Sequence, residues 1–384
     1  KDGPSNAVPF EVDTLPERLE QDLAGQAGIP LPVIVNGRID RPEQVDAFRF
    51  QGRQGDQIVA EVTARRLDSP LDSLLRLTDA SGKQLAANDD HEDPGAGLHT
   101  HHADSWLRAT LPADGVYTIH LADAQHRGAP EYAYRLRISR PMPDFQLRVV
   151  PSSINARAAA SQPITVYALR RDGFDGEIAL ALKDPPPGFA LSGAVVPAGQ
   201  NQVRLTLTAG SPSDKTPIAL VMEGRAAIHG QEVVRSVVPA EDQEQAFAYH
   251  HLVPVHQWLV SVAGRSLFKS PPVIADAPVR IPLGGSSSVK IRLPGKGAAA
   301  RMTVQLSDPS EGITIRDASP SPDGLKIQFQ ADATKIKPGT KGNLILLASA
   351  KTADSAKGKK GTVRKGASYP LPAIPYEIVP AHRD

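Results

Sequence analysis

The sequence predicts an all-β protein made of tandem β-sandwich domains. Short runs of Val, Ile, Leu and Thr recur along its 384 residues, and 35 Pro and 31 Gly mostly stand between them. Such punctuation favours many short strands joined by turns over long helices. In Val116–Leu121 every second side chain is large and apolar, the pattern of a strand with one buried face. A chain of this length is expected to hold two or three domains.

Changes in composition divide the chain. Pro141-Met142-Pro143 is a stiff linker, because each proline fixes its φ and lacks a backbone donor. Ala240–Gln245 is interpreted as an acidic bridge. The predicted segments are an N-terminal stretch that could end an upstream module, a first sandwich and two further sandwiches: residues 1–28, 29–140, 144–240 and 246–384.

Each strand is predicted from an apolar or alternating run that ends at turn residues such as Asn36-Gly37, Ser81-Gly82 or Asp114-Gly115. In the first sandwich the strands are Pro32–Val35, Ala47–Phe50, Gln57–Thr63, Ser73–Thr78, Trp106–Leu111, Val116–Leu121 and Tyr132–Ile138. In the other two they include Gln146–Val150, Ile164–Leu169, Glu177–Leu182, Gln202–Thr208, Ile218–Gly224, His256–Val262, Ser287–Leu293, Arg301–Leu306, Leu325–Phe329, Gly342–Ser349 and Pro375–Val379.

Charge and composition exclude several classes of function. Lys and Arg number 43 against 42 Asp and Glu, so no global field favours nucleic acid or an anionic membrane. No apolar run reaches 18 residues, so no transmembrane segment is expected. The absence of cysteine excludes disulfides and Cys-ligated zinc. A chain that opens on Lys1 without Met is expected to be a mature product or an excised fragment.

The loop Asn88–Ser105 concentrates the chemistry, with five carboxylates and four histidines. Oxygen-rich clusters bind Ca²⁺, and the residues expected to converge on such an ion are Asp72, Asp89, Asp90, Glu92 and Asp104. The alternative is a solvated loop in which the aspartates form turns by hydrogen-bonding their own backbone.

The histidines of this loop allow a second metal. His99 and His101 stand two residues apart and share one side of an extended strand, a spacing that chelates Zn²⁺ or Cu²⁺. The alternative is that the imidazoles hydrogen-bond the carboxylates and order the loop.

Trp106 has the opposite parity to Leu107 and is expected to face outward, where it could anchor a sugar or a protein side chain. The alternative is that it packs under the loop.

The first sandwich resembles the bacterial pre-peptidase C-terminal domain. The resemblance covers less than a third of the chain and rests on motifs that occur in the family's order: Val35–Asp40, Val45–Phe50, Leu71–Gly82, Asn88–Asp90 and Leu111–Tyr117. It implies a jelly-roll-like, non-catalytic appendage of secreted bacterial proteins, often Ca²⁺-linked and similar to the collagen-binding domains of clostridial collagenases. The acidic segment that often precedes this domain is degenerate here, at Pro16–Asp22. The other two domains resemble immunoglobulin-like modules of planctomycete-type surface proteins.

We therefore expect a modular, non-enzymatic binding or adhesion protein that is secreted, periplasmic or attached to the cell surface. Its partner would be an extracellular polysaccharide or protein. The sequence contains no Gly-x-Ser-x-Gly elbow and no phosphate-binding glycine loop. One alternative is a metal-dependent enzyme or metal carrier that uses the His/Asp-rich loop. Another is a set of accessory domains from a larger secreted hydrolase.

Overall fold

The computed structural model describes residues 9–23, 25–95, 98, 102–210, 216–245, 249–265, 268–295, 299–350 and 368–381. Within these ranges the fold is all-β, as predicted: strands are joined by loops, one four-residue helix and two short 3-10 turns. No helix in the described ranges is both long and apolar enough to cross a bilayer. The chain forms two compact units, of which the first comprises the first sandwich together with Arg171–Gly173 and Gln243–Val253.

The first sandwich consists of two sheets that enclose one apolar core. Its elements are β1 (Glu17–Leu19), α1 (Glu20–Leu23), β2 (Val33–Arg38), β3 (Val45–Gly52), β4 (Gln57–Thr63), β5 (Ser73–Asp79), β6 (Gln84–Asn88), β7 (Trp106–Thr110), β8 (Gly115–Asp123) and β9 (Ala133–Ser139). The five-stranded sheet has the order β1-β2-β9-β4-β7 and the four-stranded sheet the order β3-β8-β5-β6. Val35 and Leu136 of the first sheet pack with Phe50, Leu75 and Ile119 of the second.

A second core lies in a branched sheet of eleven strands. These are β10 (Asp144–Val150), β11 (Ser153–Ala158), β12 (Ser161–Arg171), β13 (Ile178–Lys183), β14 (Ala190–Ser192), β15 (Val195–Val196), β16 (Gln202–Thr208), β17 (Ile218–Ile228), β18 (Gln231–Gln245), β19 (Tyr249–Pro254) and β20 (Trp258–Arg265). Residues 240–245 are therefore the end of a strand, which corrects the predicted bridge. Upstream, Val237 of β18 pairs with Leu147 of β10, and Ala240 is fully buried, so the strand continues into the acidic residues.

The third core lies between a four-stranded and a five-stranded sheet. Their strands are β21 (Val273–Ala275), β22 (Val279–Pro282), β23 (Ser286–Arg292), β24 (Met302–Ser307), β25 (Ile313–Ser321), β26 (Gly324–Ala331), β27 (Lys341–Ala350), β28 (Ser368–Pro370) and β29 (Ile374–Val379). The sheet orders are β21-β23-β26-β25 and β22-β29-β27-β24, with β28 paired to β27. Ile281, Ile291, Phe329, Leu346 and Ile378 form the centre of this core.

The strand β20 contributes to the second core and not to the third. Trp258 and Val260 cluster with Phe145, because β20 pairs with both β11 and β17. The third core begins at Phe268. The division of the chain into domains that fold alone stays a prediction, but the second core draws on residues beyond 246.

Candidate functional site

The acidic loop connects β6 to β7, and hydrogen bonds close its base. The Asn88 side chain accepts a bond from the Trp106 backbone N–H at 2.8 Å and donates one to the Asp90 carbonyl at 2.7 Å. The His91 backbone N–H donates to the His102 carbonyl at 2.9 Å. These bonds hold the two ends of the loop against each other, next to the ends of β6 and β7.

Asp104 is buried in this base and holds a turn. Its carboxylate accepts backbone N–H bonds from Ala64, Arg65 and Arg66 at 3.0, 2.7 and 3.2 Å. These donors start the 3-10 turn Arg65–Leu67, where N–H groups lack partners within the turn. The Arg66 Nε also donates to Asp104, at 2.8 Å. Asp104 therefore serves this turn and the Arg66 charge, and its place in the predicted cation site stays a prediction.

Arg66 begins a chain of alternating charges, the ion-pair chain, that runs through Glu61 and Arg137 to Asp172. Its Nη2 lies 3.1 Å from one Glu61 oxygen, and the Arg137 Nη2 lies 2.7 Å from the other. Arg137 also contacts Asp172 at 2.7 Å. Glu61 pairs with Arg137 and with Trp106 on the neighbouring strands, so the strand register itself brings these side chains together.

The ion-pair chain shifts the pKa values of Glu61, Arg66 and Arg137. Burial by itself would raise the pKa of Glu61, but the charges of Arg66 and Arg137 outweigh burial and lower it to about 2. Burial would likewise lower the pKa of Arg66, and the charges of Glu61 and Asp104 raise it instead. The charged state of each group is thus stabilised by its neighbours.

Acid is expected to weaken the first sandwich through Glu61. Its pKa falls from 4.5 in the unfolded chain to about 2 in the folded one, so its contribution is present above pH 4.5 and is lost as the pH falls towards 2. That contribution is on the order of 3 kcal/mol. Trp106 fluorescence in a Trp258→Phe background reports unfolding of the first sandwich. Glu61→Gln should flatten the loss of stability between pH 5 and pH 2.5. An unchanged pH dependence would contradict the assignment.

The other predicted cation ligands lie at or near the protein surface. Asp89, Asp90 and Glu92 are exposed and Asp72 is half-buried. The pKa of Asp90 is raised by partial burial and by the negative charges of Asp72 and Asp89, so these three carboxylates share one neighbourhood. Within the described ranges, however, no group of three or more acidic or histidine side chains is arranged to hold a metal ion. The calcium assignment stays a prediction.

Histidines order the loop through ring contacts. His102 is buried and packs parallel to His251 of β19, with 5.2 Å between ring centroids. Its Nδ1 accepts the Asp93 backbone N–H at 3.1 Å, and the Leu252 N–H donates to the Pro94 carbonyl at 2.8 Å. His99 and His101, the predicted zinc or copper ligands, lie outside the described residues.

Trp106 is half-buried. Leu107 points into the core with 4% exposure, so Trp106 faces outward by parity, as predicted. The ring of His91 lies over the indole, with 5.3 Å between centroids. The loop thus covers part of the indole, and both sequence interpretations hold in part: the side chain is outside the core and also packs under the loop. Its role in ligand binding stays a prediction.

Ser105 is fully buried, and its hydroxyl is hydrogen-bonded to Ser73. A nucleophilic serine must reach substrate, so Ser105 is a structural residue.

Sequence reasoning missed four partners of this region: Glu61, Arg66, Arg137 and His251. A weak signal existed for two of them, because Glu61 and Arg137 are charged residues each flanked by apolar residues on both sides.

Two further carboxylates, Glu20 and Asp46, lie close together where the N-terminal segment meets the first sandwich. The Tyr134 hydroxyl donates to Asp46 at 2.7 Å, and burial together with the Asp46 charge raises the pKa of Glu20. In the degenerate Pro16–Asp22 segment, the Glu17 carboxylate is paired with Arg135 at 2.8 Å and with Asn36 at 3.0 Å.

Comparison with known proteins gives one local similarity. No family model matches the chain. Over 83 residues the chain is 43% identical to a protein of Deinococcus radiodurans that is described as a probable subtilase-type serine protease. The matched stretch is 21% of this chain and 10% of that relative. The chain is therefore similar to a small part of a much longer protein.

Proposed function

We propose that this chain is a non-catalytic accessory region of a secreted serine protease, which holds the enzyme on an extracellular protein or polysaccharide. The observation that carries the proposal is the local similarity to a subtilase-type protease, found in a chain that is all-β. The matched stretch is a tenth of that relative, which supports an accessory role beside the catalytic part of such a protease.

The finer assignment is a pre-peptidase C-terminal-like domain followed by two immunoglobulin-like sandwiches of a bacterial protein. It is supported by the order of the family motifs along the first sandwich and by the two-sheet arrangement of that domain. The corresponding location is outside the cell, in the periplasm or on the cell surface.

The charged groups at the base of the loop support a binding role. Asp104 pairs with Arg66, and Arg66 pairs with Glu61 of the ion-pair chain, so these charges stabilise the base of the loop. Trp106 and His91 lie together at its surface. Aromatic side chains held by ordered surroundings make effective anchors for a partner.

The test uses the full chain. Collagen, casein, cellulose and chitin beads measure retention, and casein hydrolysis with fluorophosphonate labelling measures protease activity. We expect retention on at least one polymer without hydrolysis or labelling. Trp106→Ala should weaken retention by about tenfold or more, whereas Phe10→Ala, a change at an exposed aromatic 81% accessible to solvent, should not. Hydrolysis by the chain would overturn the non-catalytic assignment, and failure to bind any polymer would overturn the binding role.

Calcium is expected to stabilise the first sandwich through Asp72, Asp89 and Asp90. Calcium at about 100 times its Kd would add about 2.7 kcal/mol, since the ion relieves the repulsion that raises the pKa of Asp90. The melting temperature of this sandwich should therefore fall in chelator, and Asp89→Asn with Asp90→Asn should abolish the response. Identical melting in chelator and in millimolar calcium would remove calcium from the proposal.

A metal-dependent role is the second candidate, because His102 and His251 bring two further imidazoles to the loop that carries His99 and His101. In that case the loop would take up Zn²⁺ or Cu²⁺ through nitrogen ligands. Metal analysis after dialysis separates the two candidates: calcium alone supports the binding module, and stoichiometric zinc or copper supports a metal carrier or metalloenzyme.

A further inference from the structure

The outward face of the four-stranded sheet β3-β8-β5-β6 carries a shallow depression of about 620 Å³. Small and polar side chains line it, among them Ala47, Thr78 and Thr118. Two exposed arginines, Arg49 and Arg76, also line it. This face is not part of the acidic loop, and nothing in the proposed function assigns it a role.

The strand register places the arginines on opposite sides of β8. Arg49 of β3 pairs with Thr118, and Arg76 of β5 pairs with His120. The two arginines are thus two strands apart, which is about 10 Å across the sheet. His120 lies between them, with its Nε2 3.0 Å from the Thr78 hydroxyl.

The two arginines are exposed, and neither makes an ion pair or a side-chain hydrogen bond with any residue that the structure describes. On the other sheet of the same sandwich, Arg135 and Arg137 are both paired with carboxylates. The one acidic residue among the described residues that line the depression is Asp79.

Asp79 does not neutralise the arginines. Its carboxylate accepts the backbone N–H of Ser81 at 2.9 Å and that of Lys83 at 3.0 Å, and it closes its own turn. The depression therefore presents two guanidinium groups with unused donors above a floor of small side chains. Such a surface is complementary to a chain that carries carboxylates.

We propose that this sheet face binds an extended acidic polypeptide, whose Asp or Glu carboxylates pair with Arg49 and Arg76. The small floor residues allow a peptide backbone to approach, and Thr118 and His120 offer it hydrogen-bonding groups. No Phe, Tyr or Trp side chain lines the depression among the described residues, so a broad platform for stacking sugar rings is not part of this face. The inference rests on the proposed binding role and adds the class of ligand.

Fluorescence anisotropy of a labelled poly-L-glutamate peptide with the full chain tests this site. Arg49→Gln with Arg76→Gln should weaken binding by about tenfold at low salt and reduce the dependence of binding on salt. Arg49→Lys with Arg76→Lys should restore part of the affinity, because it keeps the charge and loses the forked donors. The matched control is Arg41→Gln with Arg127→Gln, which removes the same charge from exposed positions outside the depression.

Equal weakening by the control pair would show nonspecific attraction and overturn the site. Failure to bind poly-L-glutamate, with alginate held through the same two arginines, would overturn the polypeptide assignment in favour of an acidic polysaccharide. Failure of the peptide and of alginate, with retention on the polymer beads intact, would overturn this inference and leave the proposed function standing.

Discussion

Asp104→Ala is expected to destabilise the first sandwich by about 3–5 kcal/mol, because it leaves a half of a buried ion pair without its partner. The Asp104 side chain is 6% exposed, and it accepts three backbone N–H bonds as well as the Arg66 Nε bond. The substitution removes both acceptor oxygens and with them all four hydrogen bonds. The Arg66 charge then keeps Glu61 as its only partner in the ion-pair chain.

Urea denaturation followed by Trp106 fluorescence, in the Trp258→Phe background, measures this loss. Asp89→Ala is the matched control, because Asp89 belongs to the same loop and is exposed. In chelator it should change stability by no more than about 0.5 kcal/mol. If the two variants were equally stable in chelator, Asp104 would not hold the turn.

Trp258→Ala is expected to destabilise the second core by about 3–5 kcal/mol, the usual cost of removing a buried aromatic side chain. Trp258 is 2% exposed and clusters with Phe145 and Val260. Its indole N–H also donates to the Pro151 carbonyl at 3.2 Å, so the substitution leaves both a cavity and an unsatisfied acceptor.

Calorimetry of the full chain separates this effect from changes in the first sandwich. Trp106→Ala is the comparison, since it removes the same side chain from a half-buried position and should cost about 1 kcal/mol.

A fragment of residues 144–245 lacks β20 and should fold less stably than one of residues 144–265. Equal stability of the two fragments would place the boundary of the second core where composition alone puts it, before residue 246.

The all-β class and most strands of this protein are encoded locally, in period-two alternation and in turn residues. Val116–Leu121, for example, was predicted as a strand and lies within β8 (Gly115–Asp123), because alternating burial is a property of neighbouring residues. The strand β6 was missed, since Gln84–Asn88 lacks β-branched and aromatic side chains. The end of β18 was misread as a bridge, because charged residues on a paired strand look like a linker when their partners are unknown.

The role of each charge was decided only by the tertiary structure. Asp89 and Asp104 look alike in sequence, yet one is solvated and the other is buried against Arg66, 38 residues away. His102 meets a partner ring from β19, far along the chain. Composition reveals that a loop is rich in carboxylates and imidazoles. Which of them are neutralised by arginine, and which keep a free charge, depends on strand register and packing between distant segments, and no local pattern carries that information.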